Sequence, residues 1–242
     1  MRQFGLIGFP LTHSFSKKYF TQKFSKEGVD AVYENFPLEN IREFPSVISG
    51  TPGLEGLNVT IPHKQSVIPF LHSVSETVSD TGACNCIRIR KEKLQGFNTD
   101  ITGFDISLSA FLRPSHNKAL VLGTGGAAKA VCYVLTKKGI PFVQVSRTKK
   151  ENCLVYKEIT DDLIREFRLI INTTPAGMFP DINACPDLPY HAMDSSYYLF
   201  DLVYNPSLTM FLQKGIERGA ISENGYRMLV LQAEESWKIW NS

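Results

Sequence analysis

The chain lacks the features that send a protein to nucleic acid, into a membrane or along the secretory route. Its 242 residues carry a formal net charge of +2, and no run of Lys or Arg exceeds a few residues. Nothing in that balance argues for nucleic acid or an anionic membrane surface as a partner. No apolar run approaches the ~20 residues of a membrane span. The first stretch, Met1-Arg2-Gln3-Phe4-Gly5-Leu6-Ile7-Gly8, reads as a strand, and it is too short and too soon interrupted by Pro10 to be a signal peptide. The five cysteines, Cys84, Cys86, Cys132, Cys153 and Cys185, are odd in number and form no Cys-x-x-Cys pair. Reduced cysteines in a cytoplasmic protein are the expectation. Cys84 and Cys86 fall on one face of an expected strand with no further ligands nearby, so no metal site is expected. Internal repeats and low-complexity tracts are missing too.

What is present is an ordinary globular composition, 43% hydrophobic, enough for one large domain or two small ones. The first hundred residues alternate strand and helix. Strands are expected at 4–8, 31–36 and 53–61. Helices are expected at 14–27, with Ser14 or Ser16 as N-cap, at 41–48 where Pro45 weakens it, and at 64–72. Residues 83–89 and 94–98 read as a hairpin around Arg90-Lys91-Glu92-Lys93. A hairpin inside a β-α-β pattern implies a mixed sheet.

A helix at 101–112, with Asp100 a candidate N-cap, links this part to a second. There a strand at 118–122 runs into Gly123-Thr124-Gly125-Gly126, a helix at 127–138 and a strand at 142–145. Further strands are expected at 169–172 and 197–201, and helices at 161–165, 209–218 and 226–240. The fold class is therefore α/β in two domains. A mixed-sheet domain of residues 1–101 is joined by the returning last helix, 226–242, and a Rossmann-like domain spans 102–225.

A glycine loop between strand and helix lets a pyrophosphate approach the helix N-terminus. Gly123, Gly125, Gly126 and Ala127 carry that loop. The end of the next strand reads Ser146-Arg147-Thr148-Lys149-Lys150, with no carboxylate before Glu151. An acid there would bind the ribose of NAD, whereas a guanidinium suits a 2′-phosphate. NADP is the expected cofactor. Few residues separate Thr148 from a strand-like stretch at 154–156, too few for a crossover helix, which takes a dozen or more. Either the helix is lost or that strand is wrongly assigned.

The first domain holds Asn58-Val59-Thr60-Ile61-Pro62-His63-Lys64, an apolar strand end carrying Asn58 and Thr60 on one face with Lys64 just past Pro62. Three other polar clusters stand at strand ends or turns: His13-Ser14-Phe15-Ser16, Cys84-Asn85-Cys86 and Asn98-Thr99-Asp100. Together they would line one polar cleft.

These stretches resemble the shikimate dehydrogenase family. The likeness runs from Gly8-Phe9-Pro10-Leu11-Thr12-His13-Ser14-Phe15-Ser16 through the Asn58 to Lys64 motif, Gly82-Ala83-Cys84-Asn85 and Gly96-Phe97-Asn98-Thr99-Asp100. It continues through Gly123-Thr124-Gly125-Gly126-Ala127, Ser146-Arg147-Thr148, Asn172-Thr173-Thr174-Pro175 and Asp201-Leu202-Val203-Tyr204-Asn205-Pro206 to the run from Gly225 to Ala233. The resemblance implies a reversible, NADP-dependent reduction of 3-dehydroshikimate to shikimate, a step toward chorismate and the aromatic amino acids. It implies that Ser14 and Ser16 bind the substrate carboxylate. Asn58, Thr60, Asn85 and Gln232 would hold the ring hydroxyls, with Tyr204 nearby. Lys64 and Asp100 would be the catalytic pair, Lys64 as general acid and base and Asp100 orienting it. Gly225 and Met228 would position the nicotinamide, and Thr174 and Val203 would line the cofactor cleft.

The chain departs from the family pattern in places. Lys17, Phe20 and Thr21 stand in the first helix where the family has Pro and His-Asn. Cys86 replaces Thr, and Ser146 replaces the commoner Asn. The short segment after Lys150 removes surface that could clamp the adenosine. Three rival readings are a quinate and shikimate dehydrogenase of broader specificity, a non-catalytic NADP-binding protein on the same fold, and a folate-linked dehydrogenase. Both serines favour shikimate, Lys64 with Asp100 favours catalysis, and Asn98-Thr99-Asp100 argues against the folate-linked enzyme. The partners expected are a small-molecule substrate, no nucleic acid and no membrane, with the chain a monomer or homodimer.

Overall fold

Phe4, Leu6 and Ile7 are all buried although they alternate across the first strand, so the chain begins inside a sheet covered on both faces. The computed structural model describes residues 1–11 and 14–242; Thr12 and His13, both within the first motif, lie outside the described residues. Two compact units result, Met1–Thr99 with Ala233–Ser242, and Asp100–Gln232.

The first unit runs β1 (Arg2–Gly8), α1 (Phe15–Glu27), β2 (Ala31–Pro37), α2 (Phe44–Gly50), β3 (Leu54–Val59), β4 (Ser73–Val74), α3 (Glu76–Thr81), β5 (Cys86–Arg90) and β6 (Lys93–Phe97). Its sheet has the order β2-β1-β3-β5-β6-β4. β1 is parallel to β2 and β3, while β3–β5 and β5–β6 are antiparallel, so the sheet is mixed as expected. Ser14 caps α1, its hydroxyl accepting from the Lys17 N–H at 3.1 Å. Gly28 ends the helix in a left-handed conformation that a Cβ would disfavour.

On one face of this sheet Phe4, Leu6, Tyr33 and Cys86 meet Phe20 and Phe24 of α1 together with Ala233 and Trp240 of the final helix. Trp240 stacks on Phe4 with ring centroids 4.9 Å apart and donates to the Ile87 carbonyl at 3.0 Å. Gly56 leaves room for its indole, because a Cβ there would collide with the ring. On the other face Ile7, Leu57, Val59 and Ile87 pack with Phe44, Val67 and Val78.

The helix expected at 64–72 does not form. Residues 61–67 are turns, and only Ile68–Phe70 coils, as a 3-10 helix. Pro69 would stand inside the longer helix, where it has no N–H to give and its ring meets the carbonyl four residues back. The strand expected from residue 83 starts only at Cys86, so Cys84 precedes it.

The second unit carries α4 (Thr99–Ser109), β7 (Ala119–Leu122), α5 (Gly126–Lys137), β8 (Phe142–Ser146), β9 (Cys153–Val155), α6 (Asp161–Ile164), β10 (Leu169–Asn172), β11 (Tyr198–Asp201), α7 (Met210–Ile216), β12 (Ile221–Glu223) and α8 (Tyr226–Asn241). Asp100 sits in the first turn of α4 rather than at its N-cap. All six strands are parallel, in the order β12-β11-β10-β7-β8-β9. Read from the β9 edge this is the doubly wound order 3-2-1-4-5-6, with its reversal between β7 and β10. Strand residues alternate between two cores. Leu120, Leu122, Ile170 and Leu199 face α7 through Phe211 and Leu212. Val121, Ile171 and Phe200 face α4 and α5 through Phe104, Leu108, Val131 and Leu135.

Of the two options for residues 154–156, the strand is real and the crossover helix is absent. β9 pairs parallel to β8, Gln144 beside Cys153, after an irregular segment at 147–150 and a turn at Glu151 and the left-handed Asn152. The unit boundaries fall at 99/100 and 232/233, against 101/102 and 225/226 read from the sequence. The last helix is therefore shared, its first two turns belonging to the second unit. Among the described residues no helix is long and apolar enough to cross a membrane.

Candidate active site

Antiparallel pairing brings the Asn58, Asn85 and Thr99 clusters of the first unit to one end of three inner strands. Asn58 at the end of β3 pairs with Cys86 at the start of β5, and Cys86 pairs with Phe97 at the end of β6. Asn58, Asn85 and Thr99 are thereby neighbours. Asn58 is buried on the Phe4 face. Its Oδ1 accepts from the Tyr33 hydroxyl at 2.8 Å, and its Nδ2 donates to Ser236 Oγ at 2.9 Å and to the Asn85 carbonyl at 3.3 Å. Asn85 Oδ1 accepts from the Thr99 N–H at 2.6 Å, and Asn85 Nδ2 donates to Thr99 Oγ1 at 3.0 Å. Both amides thus spend most of their capacity inside the protein. Among the described residues, these bonds use one lone pair of Asn58 Oδ1 and one hydrogen of Asn85 Nδ2.

Lys64 is half-buried, and its carbonyl accepts from the Cys84 N–H at 2.7 Å. Cys84 thus holds the Lys64 backbone, and the adjacent Asn85 holds Thr99. His63, which the sequence reading passed over, fixes the same turn. It is buried, with Nε2 2.6 Å from the Leu38 carbonyl and Nδ1 3.3 Å from Ser66 Oγ. The carbonyl can only accept, so Nε2 carries the proton and Nδ1 accepts from Ser66. Thr60 follows β3, its N–H donating to the Ile7 carbonyl at 2.9 Å. Gly8 makes that approach possible, since a Cβ there would strike the Thr60 methyl. Ser14 uses a lone pair as the α1 cap and keeps its O–H to donate. Ser16 lies one turn-residue on, against Tyr33. Burial pushes the Tyr33 hydroxyl well up from its ordinary value, and the Ser16 hydrogen bond only partly offsets it.

In the second unit a cleft of about 1150 Å³ opens at the β7/β10 reversal. The glycine loop forms one side, Thr173 and Thr174 another, and Ser146, Arg147 and Thr148 a third. A dinucleotide fits the residues present. A Cβ on Gly123 would sit 2.6 Å from Thr173 Oγ1, whereas Cβ atoms on Gly125 and Gly126 would stand in open space, so glycine there leaves the crevice clear. No side chain caps α5, and its first turn holds no acid, so its N–H groups are available to an anion. Of the sequence-predicted cofactor residues, Ala127 lies in that first turn, exposed.

Thr174 and Val203 are joined through two side chains that sequence reasoning missed. Asn172 Oδ1 accepts from the Thr174 N–H at 3.0 Å and its hydroxyl at 2.6 Å. Asn172 Nδ2 donates to Asp201 Oδ1, which also accepts from the Val203 N–H, both at 3.0 Å. Thr209 donates to Asp201 Oδ2 at 2.6 Å. Burial lifts the Asp201 carboxyl to about 6 against the pull of these donors. Asn172 and Asp201 end apolar strands as Asn58 does, a signal that could have found them. Gly225 lies against Leu202, where no Cβ would fit, and its N–H donates to the Val203 carbonyl at 3.2 Å. Gln232 is buried, and Gly103 of α4 packs against its backbone and that of Met228. Tyr204 is partly exposed after β11.

The chain is similar to known proteins over nearly its whole length. A sequence model described as the shikimate dehydrogenase substrate binding domain matches residues 6–87. A shikimate dehydrogenase (NADP(+)) of Caldicellulosiruptor saccharolyticus is 37% identical over 257 aligned positions, covering 99% of this chain and 92% of its own. The chain belongs to the shikimate dehydrogenase family. Among solved structures, shikimate dehydrogenase from Aquifex aeolicus has a TM-score of 0.87 at 32% identity, covering 100% of this chain and 92% of that one. The Thermus thermophilus enzyme, solved in complex with NADP(H) and shikimate, has a TM-score of 0.87 at 29% identity, with 99% and 93% covered. Ser14, Ser16, Asn58, Thr60, Lys64 and Asn85 fall inside the matched 6–87 stretch, whereas Asp100 and the whole cofactor set fall outside it.

Proposed function

We propose that the protein catalyses the reversible, NADP-dependent interconversion of 3-dehydroshikimate and shikimate. The observation that supports this most is the meeting of Asn58, Asn85 and Thr99 at one end of three neighbouring strands, with Lys64 tied by its backbone to Cys84. In this reading the first unit holds the substrate and the second the cofactor. Ser14 donates to the substrate carboxylate, and Ser16 joins it by turning its one O–H away from Tyr33. Thr60 and the remaining capacity of Asn58 and Asn85 meet the ring hydroxyls, with Gln232 and Tyr204 completing the set.

When bound, NADPH supplies the hydride. Negative charge then develops on the carbonyl oxygen, and Lys64 delivers a proton there, a contribution of roughly 10²–10⁴ in rate for general acid catalysis. In the reverse direction Lys64 removes it. Asp100 orients Lys64 and accepts from a ring hydroxyl. On the cofactor side the α5 N-terminus takes the pyrophosphate, Ser146, Arg147 and Thr148 take the adenosine 2′-phosphate, and Thr174, Val203, Gly225 and Met228 line the nicotinamide end. A cytoplasmic enzyme acting as monomer or homodimer, without nucleic acid, fits five unpaired cysteines and a near-neutral charge.

The test is a spectrophotometric assay of cofactor reduction with shikimate or quinate, each with NADP or NAD. Turnover fastest with shikimate and NADP is expected. Equal turnover of quinate would replace this reading with a broader dehydrogenase, and no turnover with any pair would sink it.

A further inference from the structure

The turn that replaces the crossover helix carries three cations with different surroundings. Lys149 is committed to Glu158, its Nζ lying 2.8 and 3.0 Å from the two carboxylate oxygens. Arg147 directly follows β8, at the position where a doubly wound sheet reads the adenosine ribose. The Arg147 charge also opposes the effect of burial on Tyr156, whose hydroxyl is raised, so the guanidinium stands near that ring on the same cleft. Lys150 turns the other way. Its Nζ donates to Thr124 Oγ1 at 2.8 Å, across to the glycine loop between β7 and α5. Among the described residues no carboxylate forms an ion pair with Lys150, although Asp181 and Asp187 line the same cleft.

An ammonium has three hydrogens, and the Thr124 bond uses one. The ammonium thereby lies beside the loop that leads into α5, whose N-terminus has no side-chain cap. We infer that Lys150 is a diphosphate-binding residue: the lost crossover helix lets this side chain fold over the glycine loop and pair with the cofactor's pyrophosphate. The inference rests on the NADP-dependent reading above. It divides the labour between the two cations. Arg147 discriminates NADP from NAD, whereas Lys150 strengthens both alike. It also supplies electrostatic grip in place of the adenosine-clamping surface that the shortened segment removes. A charge-assisted hydrogen bond of this kind corresponds to about a tenfold change in affinity or somewhat more.

The experiment is calorimetric titration of the wild-type chain, Lys150→Met and Lys150→Arg with three probes: NADPH, ADP-ribose, which has the diphosphate and no 2′-phosphate, and 2′-AMP, which has the reverse. Lys150→Met should weaken NADPH and ADP-ribose by the same factor, about tenfold, and leave 2′-AMP unchanged. Lys150→Arg should retain most of the affinity. Added salt should weaken ADP-ribose binding less in Lys150→Met than in the wild type. Loss of 2′-AMP affinity with ADP-ribose unchanged would overturn the assignment, as would tighter or unaltered binding of all three. Lys150 is exposed, and circular dichroism of each variant checks that it folds. Failure of the wild type to bind any probe would instead overturn the NADP-dependent reading itself.

Discussion

The Asn85 side chain and Thr99 close a ring: the Thr99 N–H donates to Asn85 Oδ1 at 2.6 Å while Asn85 Nδ2 donates to Thr99 Oγ1 at 3.0 Å. Both residues are almost fully buried. The ring fixes where α4 starts and hence where the backbone of Asp100 begins. Ser236 joins it, its Oγ 3.2 Å from Thr99 Oγ1 and 2.9 Å from Asn58 Nδ2. One network thus ties β3, the turn before β5, the entry to α4 and the last helix.

Removing the Asn85 amide leaves the buried Thr99 N–H without its acceptor. Asn85→Ala should lower unfolding stability by about 1–3 kcal/mol, the penalty for a buried unsatisfied donor. Urea denaturation measures it. An unchanged midpoint would mean that the ring closes around water or relaxes at no cost.

For Lys64→Ala the expected fall in kcat is about 10²–10⁴, with a smaller change in KM, because the lost interaction is made chiefly in the transition state. Steady-state kinetics in both directions reads it. A surviving kcat would remove Lys64 from the proton-transfer role.

Local chemistry made much of this legible. The buried strand runs, the glycine loop, the Ser14 cap and the mixed sheet implied by the 90–93 turn all follow from patterns within a dozen residues. What escaped has physical causes. β4 spans two residues and α3 six, too short for a period to show. β12, with Ile221, Ser222 and Glu223, has no apolar run because it lies at a sheet edge. The helix expected over 64–72 is cut short by Pro69. His63 escaped because its partner, the Leu38 carbonyl, lies 25 residues away, and Asn172 and Asp201 escaped because the bond that joins them spans two strands 29 residues apart. Lys150 escaped for a related reason. Its direction depends on the path of a loop for which the sequence leaves two options open, a lost crossover helix or no strand at 154–156.

Arg147 is exposed at the β8 end of the cofactor cleft. Arg147→Gln keeps a planar donor group and removes the charge. It should weaken NADPH by about 10–100-fold, the worth of charge-assisted bonds to a phosphate, and leave NADH nearly unchanged. Fluorescence titration with each reduced cofactor measures the ratio. Equal losses for the two would show that Arg147 does not read the 2′-phosphate.

Asp201 makes stability depend on pH with an unusual sign. Most paired carboxylates are depressed on folding and stabilise a protein as pH rises. Here burial dominates, and the folded-state value is about 6 against an ordinary 3.8. The folded chain therefore binds the proton more tightly than the unfolded chain, and stability falls as pH climbs from about 4 to about 6. The displacement is about two pH units at roughly 1.4 kcal/mol each, so about 3 kcal/mol is at stake. Asp201→Asn removes the titration and keeps most of the geometry. Its Oδ1 still accepts from Asn172 and Val203, and its Nδ2 donates to the Thr209 hydroxyl in place of the bond it loses. Urea unfolding of both proteins between pH 4.5 and 8 should show the variant gaining on the wild type as pH rises, then running parallel above about 7. A constant difference across that range would mean that the Asp201 carboxyl is no harder to ionise in the folded chain than in water.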